Sequence, residues 1–461
     1  MTPATLTTES LPTFPDLDQA PTNQQLLPLT AQANPQGHLE VGGCDVVELV
    51  AQFGSPLYVL DEVTFSQACR DYVQGWHDHY PGESLVLYAS KAWNCLATCA
   101  LASRAGLGID VASGGELYTA LMAGANPKTI YFHGNNKSPQ ELAQALEMGC
   151  TVVADNWLEL TRLAELAVNQ PPGQPKPRVM LRLTPGIECH THDYIRTGQL
   201  DSKFGFDPQE LEPLFQFGLN HPEIDWLGIH AHIGSQIFEL QPHQDLASTL
   251  ATWFAKAARL GLNFRELNVG GGLGMRYVEA DNPPSIGEWA QWVATSILQA
   301  CKAENIPLPK LICEPGRSIA GPSTVTAYTI GTRKDIPGIR TYIAVDGGMS
   351  DNPRPITYQA RYTATLANRI LETPDTTVTV AGKHCESGDI LLKDVELPNP
   401  QPGDTLVVFG TGAYNYSMAS NYNRLPRPAA VLVKEGNASL ILKRETYGDL
   451  LRQDVLPVGL A

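Results

Sequence analysis

No lysine or arginine precedes Arg70. A secretory signal opens with a positively charged segment, and an organellar transit peptide is rich in arginine. The shortage speaks against both, and a cytoplasmic protein is the expectation. No apolar run approaches the roughly 20 residues that a membrane-spanning helix needs, so no membrane is expected as a partner. Basic residues are scarce throughout, 32 Lys and Arg against 48 Asp and Glu, for a formal charge of −16. Nucleic-acid binding rests on basic side chains that neutralise phosphates, so a polyanionic partner is excluded. The nine cysteines are odd in number and form no CxxC pair. Cys95 and Cys99, four apart, suit zinc poorly, and reduced thiols are the simplest reading.

With 43% hydrophobic and 17% charged residues the composition is that of a globular protein. The 461 residues exceed one ordinary core, so two domains are expected. Residues 1–37 are rich in Thr, Pro, Gln and Asn, which predicts a mobile tail.

Eight short apolar runs follow: LVLYAS (85–90), GIDVAS (108–113), IYFHGN (130–135), TVVADN (151–156), RVMLRLTP (178–185), WLGIHAHIGS (226–235), ELNVGGG (266–272) and KLICEPGR (310–317). Segments of helical periodicity separate them. Apolar strands alternating with helices imply a parallel sheet covered on its outside. Eight such units close a (β/α)8 barrel, expected over residues 65–320, and enzymes of this architecture work at the C-terminal ends of the strands. Each run here ends in polar residues or glycine. The insert HTHDYIRTGQLDSKFGFDP (190–208) is too long for a plain crossover, and long inserts at a mouth tend to be functional. After Gly321 strand-like runs recur without long helices, which predicts an antiparallel β domain over 321–461. The runs HLEVGG and SPLYVLDE, within 38–64, are expected to join that later sheet.

Lys91 follows the first barrel run in YASKA. Desolvation there would lower its pKa and favour a neutral amine able to form a Schiff base; a solvated lysine at a strand end is the plainer alternative. GGGLG (270–274) and EPGR (314–317) close the seventh and eighth strands, where barrels of this kind bind phosphate through backbone N–H groups. Arg317 adds positive charge. A lysine across from two glycine turns suggests a phosphate-bearing aldehyde, with pyridoxal 5'-phosphate the natural candidate. In HAH (230–232) two histidines share one side of a strand. They could ligate a metal, although no further ligands are evident; alternatively one ring stacks on the cofactor and Ser235 donates to its phosphate. HTH (190–192) reads as loop-stabilising. Glu314 could face a pyridine nitrogen and keep it protonated, or pair with Arg317. Later loops carry DNPRPITY (351–358), KHCESGD (383–389) and GTGAYNYSMAS (410–420). There Cys385 is a proton donor or an ordinary thiol, and Arg354 with Tyr358 binds a carboxylate or forms a surface turn.

The order of YASKA, SGGEL (113–117), FHGNNKS (132–138), HTHDYIRTG, DSKFGF, HIGSQ (232–236), GGGLG, EPGR, DNPRP, CESGD and GAYNYSMAS resembles the diaminopimelate decarboxylase family. That family belongs to the pyridoxal-phosphate fold-III group, shared with ornithine decarboxylase and alanine racemase. TPGI (184–187) and the long N-terminal stretch depart mildly from its pattern. The resemblance implies that Lys91 carries the cofactor and that His232 stacks on it. It places Ser235, Gly270, Gly271, Gly272, Gly316, Arg317 and Tyr414 around the cofactor, and Glu314 at the pyridine nitrogen. Cys385 is implied as the acid, and Arg317, Arg354, Tyr358, Glu386 and Tyr414 as the substrate set; no metal is implied. The implied reaction converts meso-2,6-diaminopimelate to L-lysine and carbon dioxide, the last step of lysine biosynthesis. Cys385 and Glu386 would serve the neighbouring subunit's site, so a homodimer is implied. The alternatives are a decarboxylase for ornithine or arginine on the same scaffold, a regulatory relative without activity, and a metal-dependent barrel hydrolase. The regulatory reading would be expected to lose Lys91 or Cys385, and both are present.

Overall fold

The computed structural model describes Phe14, residues 21–187 and residues 201–460. Three short strands, β1 (Gln32–Ala33), β2 (Leu39–Val41) and β3 (Cys44–Asp45), form a small sheet of their own. β4 (Leu57–Asp61) comes next. A closed barrel follows: β5 (Ser84–Ala89), β6 (Gly108–Val111), β7 (Ile130–Phe132), β8 (Thr151–Ala154), β9 (Arg178–Arg182), β10 (Asp225–His230), β11 (Glu266–Asn268) and β12 (Lys310–Cys313). Every neighbouring pair in it is parallel, and β12 closes onto β5. All eight predicted runs are therefore barrel strands. Inside the barrel, Leu87, Tyr131, Val153, Met180, Leu227 and Ile312 make a buried apolar plug. It floors the mouth.

Two of the recognised motifs owe part of their pattern to helix ends. Ser113 of SGGEL accepts from the Glu116 amide and caps the helix Gly114–Met122. Ser138 of FHGNNKS and Glu141 form a reciprocal capping box on the helix Pro139–Met148. Such caps satisfy amides that have no partner within a helix.

The second sheet has nine strands: β4 with β13 (Thr324–Ile336), β14 (Arg340–Val345), β15 (Ala364–Leu366), β16 (Thr376–Ala381), β17 (Ile390–Leu397), β18 (Thr405–Val408), β19 (Ala429–Lys434) and β20 (Asn437–Leu442). It is mostly antiparallel, but β14 with β16 and β19 with β4 pair in parallel. Parallel pairing demands a crossover, and that of β4 with β19 spans the whole barrel. β4, within SPLYVLDE, lies between β13 and β19. The strand of HLEVGG, β2, pairs with β1 and β3 instead.

Residues 21–37 differ from the expected mobility. Asn23 is fully buried, and its Nδ2 donates to the carbonyls of Gly274 and Pro284. Leu27, Leu29 and Ala31 are buried as well. The sparse apolar residues suffice because they fill gaps in cores built by other elements. Residues 1–13 and 15–20, the rest of the predicted tail, and His190–His192 lie outside the described residues. Among the described residues no helix is long and apolar enough to cross a membrane.

Candidate active site

Strand ends deliver the site. Lys91 lies in the turn Ser90–Ala92 directly after β5. Its Nζ donates to Asp110 Oδ2 at 2.9 Å. Burial alone would lower the Lys91 pKa, but Asp110 outweighs it, aided by Tyr414 and Glu314, and the pKa is raised. The expectation of a depressed amine is thereby corrected. Asp110 sits inside GIDVAS, and a lone acid within an apolar run was the signal that sequence reasoning passed over.

Glu314, just after β12, is buried among three donors. His133 Nε2 lies 2.7 Å from Oε1, Asn268 Nδ2 donates to the same oxygen at 2.7 Å, and His230 Nε2 lies 3.2 Å from Oε2. Burial opposes the charge, but His133 and His230 outweigh it and hold Glu314 well below the usual carboxylate range. His230 is itself pushed down to about 4 by burial, against the pull of Glu314. It is therefore a neutral ring that donates from Nε2 to an ionised carboxylate. This arrangement replaces the alternative in which Glu314 pairs with Arg317. His133, His230 and Glu314 also place ligand-type atoms within 4.8 Å of one another. His133 supplies the neighbour that the sequence did not reveal for the HAH pair. The hydrogen bonds already joining the three account for their closeness.

His232 accepts the Gly271 amide at Nδ1, 3.2 Å away. Burial first, then Lys91 and Arg182, drives its pKa well below the usual value, so the ring is neutral and oriented. The Gly270 amide donates to Asn268 Oδ1 at 2.9 Å. Gly270 and Gly271 thus have their N–H groups engaged within the chain, and their part is to shape the turn. A Cβ at Gly271 would stand 2.3 Å from the Glu314 carbonyl. Among the described residues no such bond occupies the amides of Gly272 and Gly316. Gly272 has φ +127° and Gly316 would press a Cβ within 2.9 Å of the Ala89 carbonyl, so both positions require glycine. These open amides, the Ser235 hydroxyl and Arg317 form a set that fits a phosphate.

Arg317 donates Nε to Ser235 Oγ at 3.0 Å and Nη1 to Tyr277 Oη at 2.8 Å. Its guanidinium also lies 4.9 Å from the ring centre of Tyr414. Tyr414 adopts φ +60°, and its amide donates to the Ala92 carbonyl at 2.8 Å, so the 410–417 loop folds over the lysine turn. Arg354 is buried beside Tyr277 and Tyr362, and Tyr358 is half-buried at the end of the same short helix, Arg354–Tyr358. Sequence reasoning missed His133, Tyr277 and Tyr362, which are ordinary members of apolar or mixed runs until the fold gathers them.

Cys385 and Glu386 stand apart. Both are exposed on the loop between β16 and β17. The Cys385 amide is held by Asn423 Oδ1 at 2.8 Å. His384 is anchored to Asp389 at 2.7 Å and stacks on Tyr422. Among the described residues no hydrogen bond joins Cys385 or Glu386 to the Lys91 cluster.

The family model described as "Pyridoxal-dependent decarboxylase, pyridoxal binding domain" matches residues 67–321. A diaminopimelate decarboxylase of Synechocystis is 62% identical over 443 residues, 94% of this chain and 94% of that protein. One of Bacillus subtilis is 45% identical over 92% of this chain and 97% of its own length. A crystal structure of the M. jannaschii diaminopimelate decarboxylase in complex with L-lysine superimposes with a TM-score of 0.88 at 31% identity, covering 96% of this chain and all, 100%, of that one. A lysine/ornithine decarboxylase from Vibrio vulnificus shares the fold at 20% identity and a TM-score of 0.71.

Proposed function

The chain belongs to the diaminopimelate decarboxylase family of pyridoxal-dependent decarboxylases, and from that premise we infer how its barrel mouth works. The reaction is decarboxylation of meso-2,6-diaminopimelate to L-lysine and carbon dioxide, with pyridoxal phosphate as cofactor. It completes lysine biosynthesis. Bound here, the cofactor supplies an electron sink for the pair left when the carboxylate departs. The observation that carries the reading is the buried Glu314 carboxylate, held by His133, Asn268 and His230, together with a lysine paired with an aspartate. A fixed anion of this kind keeps a facing ring nitrogen protonated.

The chain's own residues then divide the work. Lys91 is the amine to which the cofactor attaches. The neutral His232 ring covers a face of the cofactor. Ser235, Gly272, Gly316 and Arg317 hold its phosphate, while Gly270 and Gly271 set the turn that aims them. Tyr414 closes the mouth over Lys91. Arg317, Arg354, Tyr358 and Tyr414 bind the substrate, with the arginines directed at the carboxylate that is retained. Cys385 delivers a proton from Sγ to the substrate carbon that has lost carbon dioxide, and Glu386 binds the distal ammonium. Their exposure and separation from the Lys91 cluster support a homodimer in which each subunit lends this loop to its partner's site. Eight free cysteines among the described residues, seven of them buried, suit the cytoplasm.

Borohydride reduction followed by peptide mapping tests the core of the proposal. The expected adduct lies on Lys91, and carbon dioxide release is expected from diaminopimelate but not from ornithine or arginine. An adduct on another lysine would refute the assignment.

A further inference from the structure

Arg317 and Arg354 are 4% and 5% exposed. A buried cation ordinarily recruits a carboxylate, because an unpaired buried charge is strongly unfavourable. Among the described residues neither arginine has an Asp or Glu partner. Their partners are neutral oxygens: Ser235 and Tyr277 for Arg317, and Tyr362, at 2.8 Å from Nη1, for Arg354. Tyr277 touches both cations. Its hydroxyl accepts from Arg317, and its ring centre lies 4.9 Å from the Arg354 guanidinium carbon. The Tyr277 and Tyr362 rings meet edge to face, with centres 5.2 Å apart at 87°. Asn415 Nδ2 approaches the Tyr362 hydroxyl at 3.3 Å. Arg354 Nε is buried and has no hydrogen-bond partner, so donor capacity remains at this cation.

We propose that Tyr277 and Tyr362 are positioning residues for substrate specificity: they aim two guanidinium groups at the mouth while leaving the positive charge of Arg354 available to the substrate's second carboxylate. The chemistry distinguishes a phenol from an acid here. A carboxylate at either position would hold its arginine more strongly and cancel its charge. The Tyr362 phenol, which burial pushes up, accepts one N–H, offers a ring face to a cation, and brings no negative charge. In the holoenzyme the phosphate meets Arg317, and the Arg354 charge is compensated only when a dicarboxylate enters. A substrate without the second carboxylate leaves it unpaired and is rejected. The inference rests on the decarboxylase reading and adds the residues that set its selectivity.

The test uses the full-length holoenzyme and four substitutions. Loss of a charge-assisted hydrogen bond predicts that Tyr277→Phe and Tyr362→Phe each raise KM for meso-diaminopimelate about ten-fold or more. The kcat and the visible absorbance of bound pyridoxal phosphate should hardly change. Tyr362→Glu is the deciding variant, with Tyr362→Gln as its neutral control. If the tyrosine merely braced Arg354, the glutamate would restore a partner and bring KM back toward wild type. If charge must stay available, Tyr362→Glu raises KM beyond Tyr362→Phe, and Tyr362→Gln does not. Unchanged KM in both phenylalanine variants overturns the inference. So does rescue by Tyr362→Glu, or loss of cofactor from every variant while wild type retains it. Wild-type enzyme that releases no carbon dioxide from diaminopimelate would instead defeat the underlying reading, and the inference with it.

Discussion

Two buried histidines make one contribution to stability sensitive to acid in a definite direction. Burial pushes both His230 and His243 down to about 4. The unfolded chain binds their protons near the ordinary histidine value of 6.5, so between these values the unfolded state holds more protons. The stability these rings contribute is therefore full above about 6.5 and falls as pH drops toward 4, by up to about 1.4 kcal/mol per pH unit for each ring. Glu314, held low, adds a loss with the same sign below the ordinary carboxylate range. Burial holds Asp351 up at about 7, which adds stability as pH falls through the same window, so the histidine contribution is read as the difference in thermal-melt slope between wild type and a histidine variant. His243 accepts from Trp289 Nε1 at 3.3 Å, and its Cε1 would stand 3.3 Å from a Cβ at Gly272; His243→Gln should flatten the slope. An unaltered slope would remove His243 from the account. Legibility at this scale depended on punctuation. Lys91 and Glu314 stand at the ends of apolar runs and announce themselves. Asp110 and Tyr277 resemble their neighbours in sequence, and only strand direction and a turn bring them to the cations they serve.

Elements are constrained where backbones meet. Gly228 lies in β10 at a register shift against β9, and a Cβ there would fall 1.7 Å from the Glu266 carbonyl oxygen. Backbone cannot rotate aside as a side chain can. Gly228→Ala is expected to cost about 3 kcal/mol or more, read as a lower denaturation midpoint or as loss of folded protein. A wild-type midpoint would show that β10 and β11 can separate without penalty. The barrel strands were legible because each is a short apolar run between helices. The position of β4 was not specified beyond its joining the later sheet. Its partners β13 and β19 lie on the far side of the barrel in sequence, and register over such a separation is set by packing that local pattern does not encode. The small sheet β1–β3 was obscured similarly, since its strands are only two or three residues long.

At the scale of the whole molecule, the exposed Cys385 loop gives the subunit arrangement a kinetic signature. Lys91→Ala and Cys385→Ala should each be nearly inactive as pure homodimers. If sites are shared, a mixed dimer carries both lesions in one site and none in the other. Random exchange of equal amounts should then restore about a quarter of wild-type activity, as two-fold symmetry requires. No recovery after verified subunit exchange would place Cys385 in its own chain's site. The barrel and the nine-stranded sheet also share one core, in which Tyr58 and Leu60 of β4 and Ala430 of β19 pack with barrel residues. Composition and length suggested two domains, and nothing in either predicted that the chain would thread its first long strand into its last sheet.

The Ala92 carbonyl, next to Lys91, receives both the Tyr414 amide and, at 3.0 Å, the Ser417 hydroxyl. Swinging the sheet outward like a hinged door would drag the lysine from its place. Reactant and product must accordingly pass by small excursions of side chains and loop tips, with the two large bodies latched throughout the catalytic cycle.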